Sequence, residues 1–137
     1  EHLGVDVQLE NQDWKVYLAS TANNSMDYDV SRSGWIGDFV DPINYIELFT
    51  EGNGNNRTGW SNPEYDRLVE ESFSAKTVEE RFALFQKAEA ILAEEVPLIP
   101  IYYYTRPILL APEVKNFKPN LLGYVPYHTL YLEAPQG

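Results

Sequence analysis

Asp38 and Asp41 lie three residues apart beside Trp35, and two carboxylates at that separation can do acid–base chemistry of the kind a glycosidase uses. Asp41, however, is followed by Pro42, the pattern of a helix cap with proline at the first helical position, and a capping role would remove it from such a pair. Asp38 would then stand alone, a fixed negative charge next to the flat apolar wall of Trp35 and the flexible Gly37. That combination suits recognition of a small ligand bearing a positive group. Arg32, three residues before Trp35, offers either a bidentate grip on a ligand carboxylate or an ordinary salt bridge with Asp27 or Asp29. His2 and His128 are the only histidines, and neither has a partner at metal-ligand spacing. There is no nucleophile elbow, phosphate loop or dinucleotide fingerprint, so the residues point to binding without covalent chemistry, metal or cofactor.

Positioning such a site falls to elements that the apolar periodicity suggests. Residues 5–10 alternate apolar and polar, as in a half-buried strand, and residues 28–35 read as a second strand ending at Trp35. A short helix over 11–19 lies between them, followed by loop chemistry at Asn23, Asn24 and Ser25. Asp41 and Pro42 open a helix with Ile43, Ile46 and Phe49 on one face, and residues 51–59 form a polar loop. The triplets at Asn23 and Asn56 match the glycosylation pattern, a common chance match. Asn62 and Pro63 repeat the cap-then-proline signal ahead of Tyr65, Leu68, Val69, Ser72 and Phe73. Thr77 and Glu80 form a capping box for a long helix whose stripe runs through Val78, Phe82, Phe85, Ala88 and Leu92, until Pro97 ends it. Leu98 to Arg106 reads as an apolar strand, and the run Tyr102 to Tyr104 either packs throughout or puts one face on the core and one on a cleft. Trp60 serves either a core or a ligand wall.

At 137 residues the chain can bury a real core. Its net charge of −11 argues against nucleic acid and anionic lipid, both of which need a basic surface. Without cysteine, disulfides, thiolate metal sites and cysteine nucleophiles are excluded. No stretch approaches the ~18 apolar residues of a membrane span, and the start at Glu1 suggests a processed piece or fragment. Residues 1–97 carry 7 basic and 19 acidic residues, against 3 and 2 in residues 98–137, and seven of nine prolines lie at or after position 97. A boundary near residues 97–106 follows, with a tail that has little core of its own.

In order and spacing, the chain resembles the C-terminal part of the oligopeptide/dipeptide-binding proteins of bacterial ABC importers, the large solute-binding proteins. The resemblance rests on Leu3-Gly-Val-Asp-Val-Gln-Leu9, Tyr28-Asp-Val-x-Arg-x-Gly-Trp-x-x-Asp38, Asp41-Pro42, Asn62-Pro-Glu-Tyr-Asp-Arg-Leu68, Arg81-x-x-x-Phe-Gln-Lys-Ala-Glu89 and Val96-Pro-Leu-Ile-Pro-Ile-Tyr102. It implies an α/β fold, the C-terminal lobe of a two-lobed periplasmic-binding-protein-like architecture. Residues 1–106 would be the ligand-facing part, and residues 107–137 a returning tail packed on the N-terminal lobe. It further implies that Asp38 holds a peptide's α-ammonium, that backbone around Trp35, Ile36 and Gly37 pairs with the peptide main chain, and that Arg32 meets the carboxyl end of a short peptide. Asn23 and Asn24 stand where some relatives carry basic residues, which leaves ligand length open. The implied partners are a peptide and a membrane permease, and the implied location is periplasmic, or lipid-anchored on the outer face of a Gram-positive cell. An oligosaccharide-binding member would instead stack its ligand on Trp35 and Trp60. A small glycosidase would use Asp38 with a distant Glu, and a purely structural domain would have no cleft at Asp38. Exposed Ile108, Leu109, Leu110, Leu121 and Leu122 could drive dimerisation.

Overall fold

The computed structural model describes residues 4–22 and 28–134. His2, the loop at Asn23, Asn24 and Ser25, and Asp27 lie outside the described residues. The elements are α1 (Trp14–Ser20), α2 (Ile43–Ile46) running into a 3-10 turn (Glu47–Phe49), α3 (Pro63–Phe73), α4 (Val78–Glu95), β1 (Val114–Lys115), a 3-10 turn (Tyr127–Thr129) and β2 (Tyr131–Leu132).

The helix starts follow their capping residues. Asp13 accepts from the Lys15 N–H, and Asn62 Oδ1 accepts from the N–H groups of Glu64 and Tyr65 with Pro63 behind it. Thr77 Oγ1 accepts from Glu80 N–H, but the Glu80 carboxylate reaches Lys76 N–H, one residue before the position a reciprocal box would use. At its C-terminal end α4 stops on Val96, held at φ 50 and ψ 49 immediately before Pro97. A β-branched residue there is strained, because its Cβ crowds the backbone.

The core is a small block between α2 and α4. Ile43, Ile46, Tyr65, Leu68, Val69, Phe85 and Ala88 are buried together, with Phe49, Trp60, Leu84, Ile91 and Leu92 against them. Ala88 is fully buried, and its small side chain lets α3 approach α4 closely. The α4 stripe is therefore rotated from the expected one. Phe82 lies about 120° round the helix from Ala88. It stays 45% exposed, edge-on to Phe85, and Val78 in the first turn is exposed as well. Trp60 belongs to this block: its ring meets Tyr65 edge-on at 5.2 Å, and its Nε1–H donates to Glu95 at 2.6 Å.

The loop between the 3-10 turn and α3 is organised by Asn56, which is buried although polar. Its Nδ2 faces the carbonyls of Phe49, Thr50 and Trp60, and its Oδ1 accepts from the N–H and hydroxyl of Thr58. With that nitrogen fully committed, the Asn56 triplet is no sugar acceptor in the folded chain. Arg57 ties α1 to the same loop by donating to Leu18 O and Thr21 Oγ1, both at 2.8 Å, while the Tyr28 hydroxyl donates to Arg57 O.

The three expected strands do not form ladders. Residues 5–10, 28–35 and 98–106 are neither helical nor paired, and the two-residue antiparallel ribbon β1–β2 is the only sheet among the described residues. Alternation sets which side chains share a face, but a strand also needs a neighbouring strand to take its backbone groups. None of these segments finds one within the described chain. Neither face of the tyrosine run is core: Tyr102, Tyr103 and Tyr104 are all exposed. The ribbon pairs Val114 with Leu132 and Lys115 with Tyr131, and Asn116 and Asn120 organise its turns. Ile108, Leu109, Leu110 and Leu121 are exposed, whereas Leu122 is half-buried. The accessible surface is 11611 Å², against about 7,300 Å² for a compact 15.7 kDa monomer. No helix among the described residues is long and apolar enough to cross a membrane.

Candidate functional site

The site is a ledge, residues 34–44, leading into α2. Trp35, Ile36, Phe39 and Val40 all show apolar surface to solvent. Between them Gly37 is buried, and a Cβ placed on it would sit 3.3 Å from the Tyr45 hydroxyl, close enough to push that hydroxyl aside by a few tenths of an ångström. Gly37 N–H donates to that hydroxyl at 3.2 Å. The amide expected to be available to a guest peptide is thus already engaged. The backbone groups of Trp35 and Ile36, by contrast, have no partner among the described residues.

Asp38 is exposed, and its carboxylate forms no ion pair among the described residues. Its N–H donates to Asn44 Oδ1 at 3.1 Å. Asp41 is in the opposite situation. Arg81 on α4 grips it with both nitrogens, at 2.6 and 2.9 Å, while its Oδ1 also accepts from Ile43 N–H at the start of α2. The Arg81 guanidinium lies 4.9 Å over the Phe85 ring, which holds it in place. Arg81 pulls the Asp41 carboxyl below its ordinary value of 3.8, against the opposing effect of burial. Asp41 sits one residue ahead of Pro42, the N-cap of α2, and braces the first turn through Ile43 N–H; held by Arg81, it cannot serve Asp38 as an acid–base partner.

The sign of the pH effect follows. A carboxyl depressed in the folded state binds its proton more readily once unfolded. The stability from Asp41 is thus fully present above 3.8 and is lost as pH falls through the lower, folded value. Asp41→Asn is expected to cost about 1–2 kcal/mol at neutral pH. Urea unfolding of both forms should show that difference shrinking as the buffer is taken below pH 3.8. A gap that stays constant with pH would remove the ion pair as its cause.

Arg32 is exposed and meets no acid among the described residues: the expected pairing with Asp29 does not form, and Asp27 is outside the described residues. Its Nη2 points instead at the hydroxyls of Tyr102 and Tyr104, at 3.3 and 3.5 Å, whose rings lie 5.1 Å apart. Tyr104 is pushed below its ordinary value of 10.0 by the Tyr102 hydroxyl first and Arg32 second. α1 supports this segment through Tyr17, whose hydroxyl donates to Arg32 O at 3.0 Å. Asp38, Trp35, Ile36 and Gly37 thus share one ledge, whereas Arg32 joins the tyrosine run. Sequence reasoning did not single out Asn44, Tyr45 or the Arg81–Asp41 link. A buried asparagine between Ile43 and Ile46 was the one local signal available.

No family model matches the chain. Known proteins do. OppA of Bacillus subtilis, an oligopeptide-binding protein, is 48% identical over 106 residues, 77% of this chain and 19% of that protein. DppE of the same organism, a dipeptide-binding protein, is 38% identical over 123 residues, 90% of the chain and 22% of the relative. The crystal structure of Haemophilus influenzae OppA in complex with the peptide RPPGFSPFR superposes with a TM-score of 0.76 at 35% identity, covering 93% of this chain and 25% of that one. The architecture is thus a segment of the periplasmic-binding-protein fold. The chain spans about a fifth to a quarter of the length of the relatives it matches. Within that span it is a homologue of the oligopeptide- and dipeptide-binding proteins, matching their C-terminal part.

Proposed function

We propose that this chain is the ligand-facing part of an extracytoplasmic receptor that captures oligopeptides or dipeptides and hands them to an ABC permease, without covalent chemistry. The observation that carries the reading is the contrast between two neighbouring acids. Arg81 pairs with Asp41, whereas among the described residues nothing pairs with the neighbouring Asp38 carboxylate or with the backbone groups of Trp35 and Ile36. An open carboxylate suits an α-ammonium, and free main-chain groups suit an added peptide strand. Arg32, between two tyrosine hydroxyls, is placed to take a carboxylate. In this reading residues 1–106 belong to the α/β ligand-facing lobe, and the tail 107–137 lies against the other lobe. The receptor sits in the periplasm or is held by a lipid on the outer face. The bare leucines of the tail also give the isolated chain a surface for pairing with a second copy, which sedimentation equilibrium tests.

The sugar-stacking alternative loses half its platform, because Trp60 is taken up by Tyr65 and Glu95. The experiment that separates the readings is a calorimetric panel of tripeptides and oligosaccharides on the full-length receptor. Binding of peptides with a free amino terminus, and none of neutral sugars, is expected. Sugar binding without peptide binding would overturn the assignment.

A further inference from the structure

Asn44 is 3% exposed and uses its whole amide on one short stretch of backbone. Its Oδ1 accepts from Asp38 N–H at 3.1 Å, and its Nδ2 donates to Phe39 O at 2.9 Å and Asp41 O at 3.2 Å. The two carbonyls have other donors, Asp41 N–H for Phe39 O and Asn44 N–H for Asp41 O. Asp38 N–H has only Asn44 among the described residues. One residue further on, the Tyr45 hydroxyl takes Gly37 N–H, in a space that any Cβ at position 37 would crowd. The two amides of Gly37 and Asp38 are therefore both held from α2, while the Asp38 carboxylate itself has no partner among the described residues.

We propose that Asn44 and Tyr45 are positioning residues, which fix the backbone under Asp38 and so set where its carboxylate meets the cationic end of a ligand. This rests on the reading of Asp38 as the ammonium partner. An exposed carboxylate on a loose loop spends part of any attraction on ordering itself, whereas one on a pegged backbone meets its ligand already in place. α2 is the right support for this work. Its first turn is braced by Arg81 through Asp41, and Ile43 and Ile46 root it in the core. The hydrogen bonds run to the backbone rather than to the carboxylate, so the support does not lower the charge that the ligand sees.

The test uses the full-length receptor and two probes, trialanine and N-acetyl-trialanine, with dissociation constants measured by competition. Tyr45→Phe and Asn44→Ala are each expected to weaken trialanine about ten-fold and to leave the acetylated peptide within about two-fold. Both effects should vanish when Asp38 is already alanine. Equal weakening of both peptides, or full persistence in the Asp38→Ala background, would show only general loosening and overturn the proposal. Tyr45→Phe removes a single oxygen from a half-exposed ring, so it remains informative if Asn44→Ala does not fold. If Asp38→Ala leaves the ratio between the two peptides unchanged, the ammonium reading itself falls and takes this inference with it. If Asp38→Ala collapses that ratio while Tyr45→Phe and Asn44→Ala leave it intact, the positioning role alone is wrong.

Discussion

Tyr65→Ala is expected to lower the unfolding free energy by about 3–5 kcal/mol, the largest stability effect of any single substitution considered for this chain. Tyr65 has no exposed surface and sits between α2, Trp60 and α4. Its removal leaves a cavity in a core of only a few side chains, which has little else to close over it. The phenol also donates to Ile46 O, the last residue of α2, and burial holds its pKa well above the ordinary 10.0. Tyr65→Phe isolates that bond: it keeps the ring and should cost about 1–2 kcal/mol. Urea unfolding followed by helix circular dichroism checks both values. If alanine costs no more than phenylalanine, the ring is not the keystone of this block.

Asp38→Ala in the full-length receptor should weaken binding of a peptide with a free amino terminus by at least ~2 kcal/mol, about 30-fold. The magnitude assumes that the bound charge pair is shielded from water. In the chain as described Asp38 is exposed, and pairs in that setting contribute no more than about 1 kcal/mol. The same substitution in the isolated chain should therefore change little, and the isolated chain should bind peptide poorly. Calorimetry on both forms makes the comparison. Unchanged affinity in the full-length receptor, or micromolar binding by the isolated chain, would count against the assignment.

The features legible in the sequence are those set by neighbours in the chain. Asn62 with Pro63, Thr77 and Pro97 mark helix ends, because capping is a matter of residues two to four positions apart. Asp41 with Pro42 marked the start of α2 for the same reason, although the cap itself falls on Pro42; the ion pair of Asp41 with Arg81 spans 40 residues and leaves no local trace. The three unformed strands fail for the converse reason. Their alternation is local, while the pairing that makes a strand is not. The rotation of the α4 stripe toward Ala88 depended on how closely α3 could approach, which periodicity does not encode. At the ledge, Trp35, Gly37 and Asp38 stood out by residue type, whereas the supports Asn44 and Tyr45 acquire their roles only when α2 turns back beneath residues 37–41.

The 11611 Å² of accessible surface has a calorimetric consequence. An unfolded chain of 15.7 kDa exposes about 22,800 Å². Folding to this structure thus removes only about seven-tenths of the area that a compact domain of the same mass would remove. The heat-capacity increment scales with that area, so it should fall near 1.1–1.5 kcal/mol/K in place of the roughly 1.6–2.1 usual for this length. The stability curve of the isolated chain would be correspondingly flat.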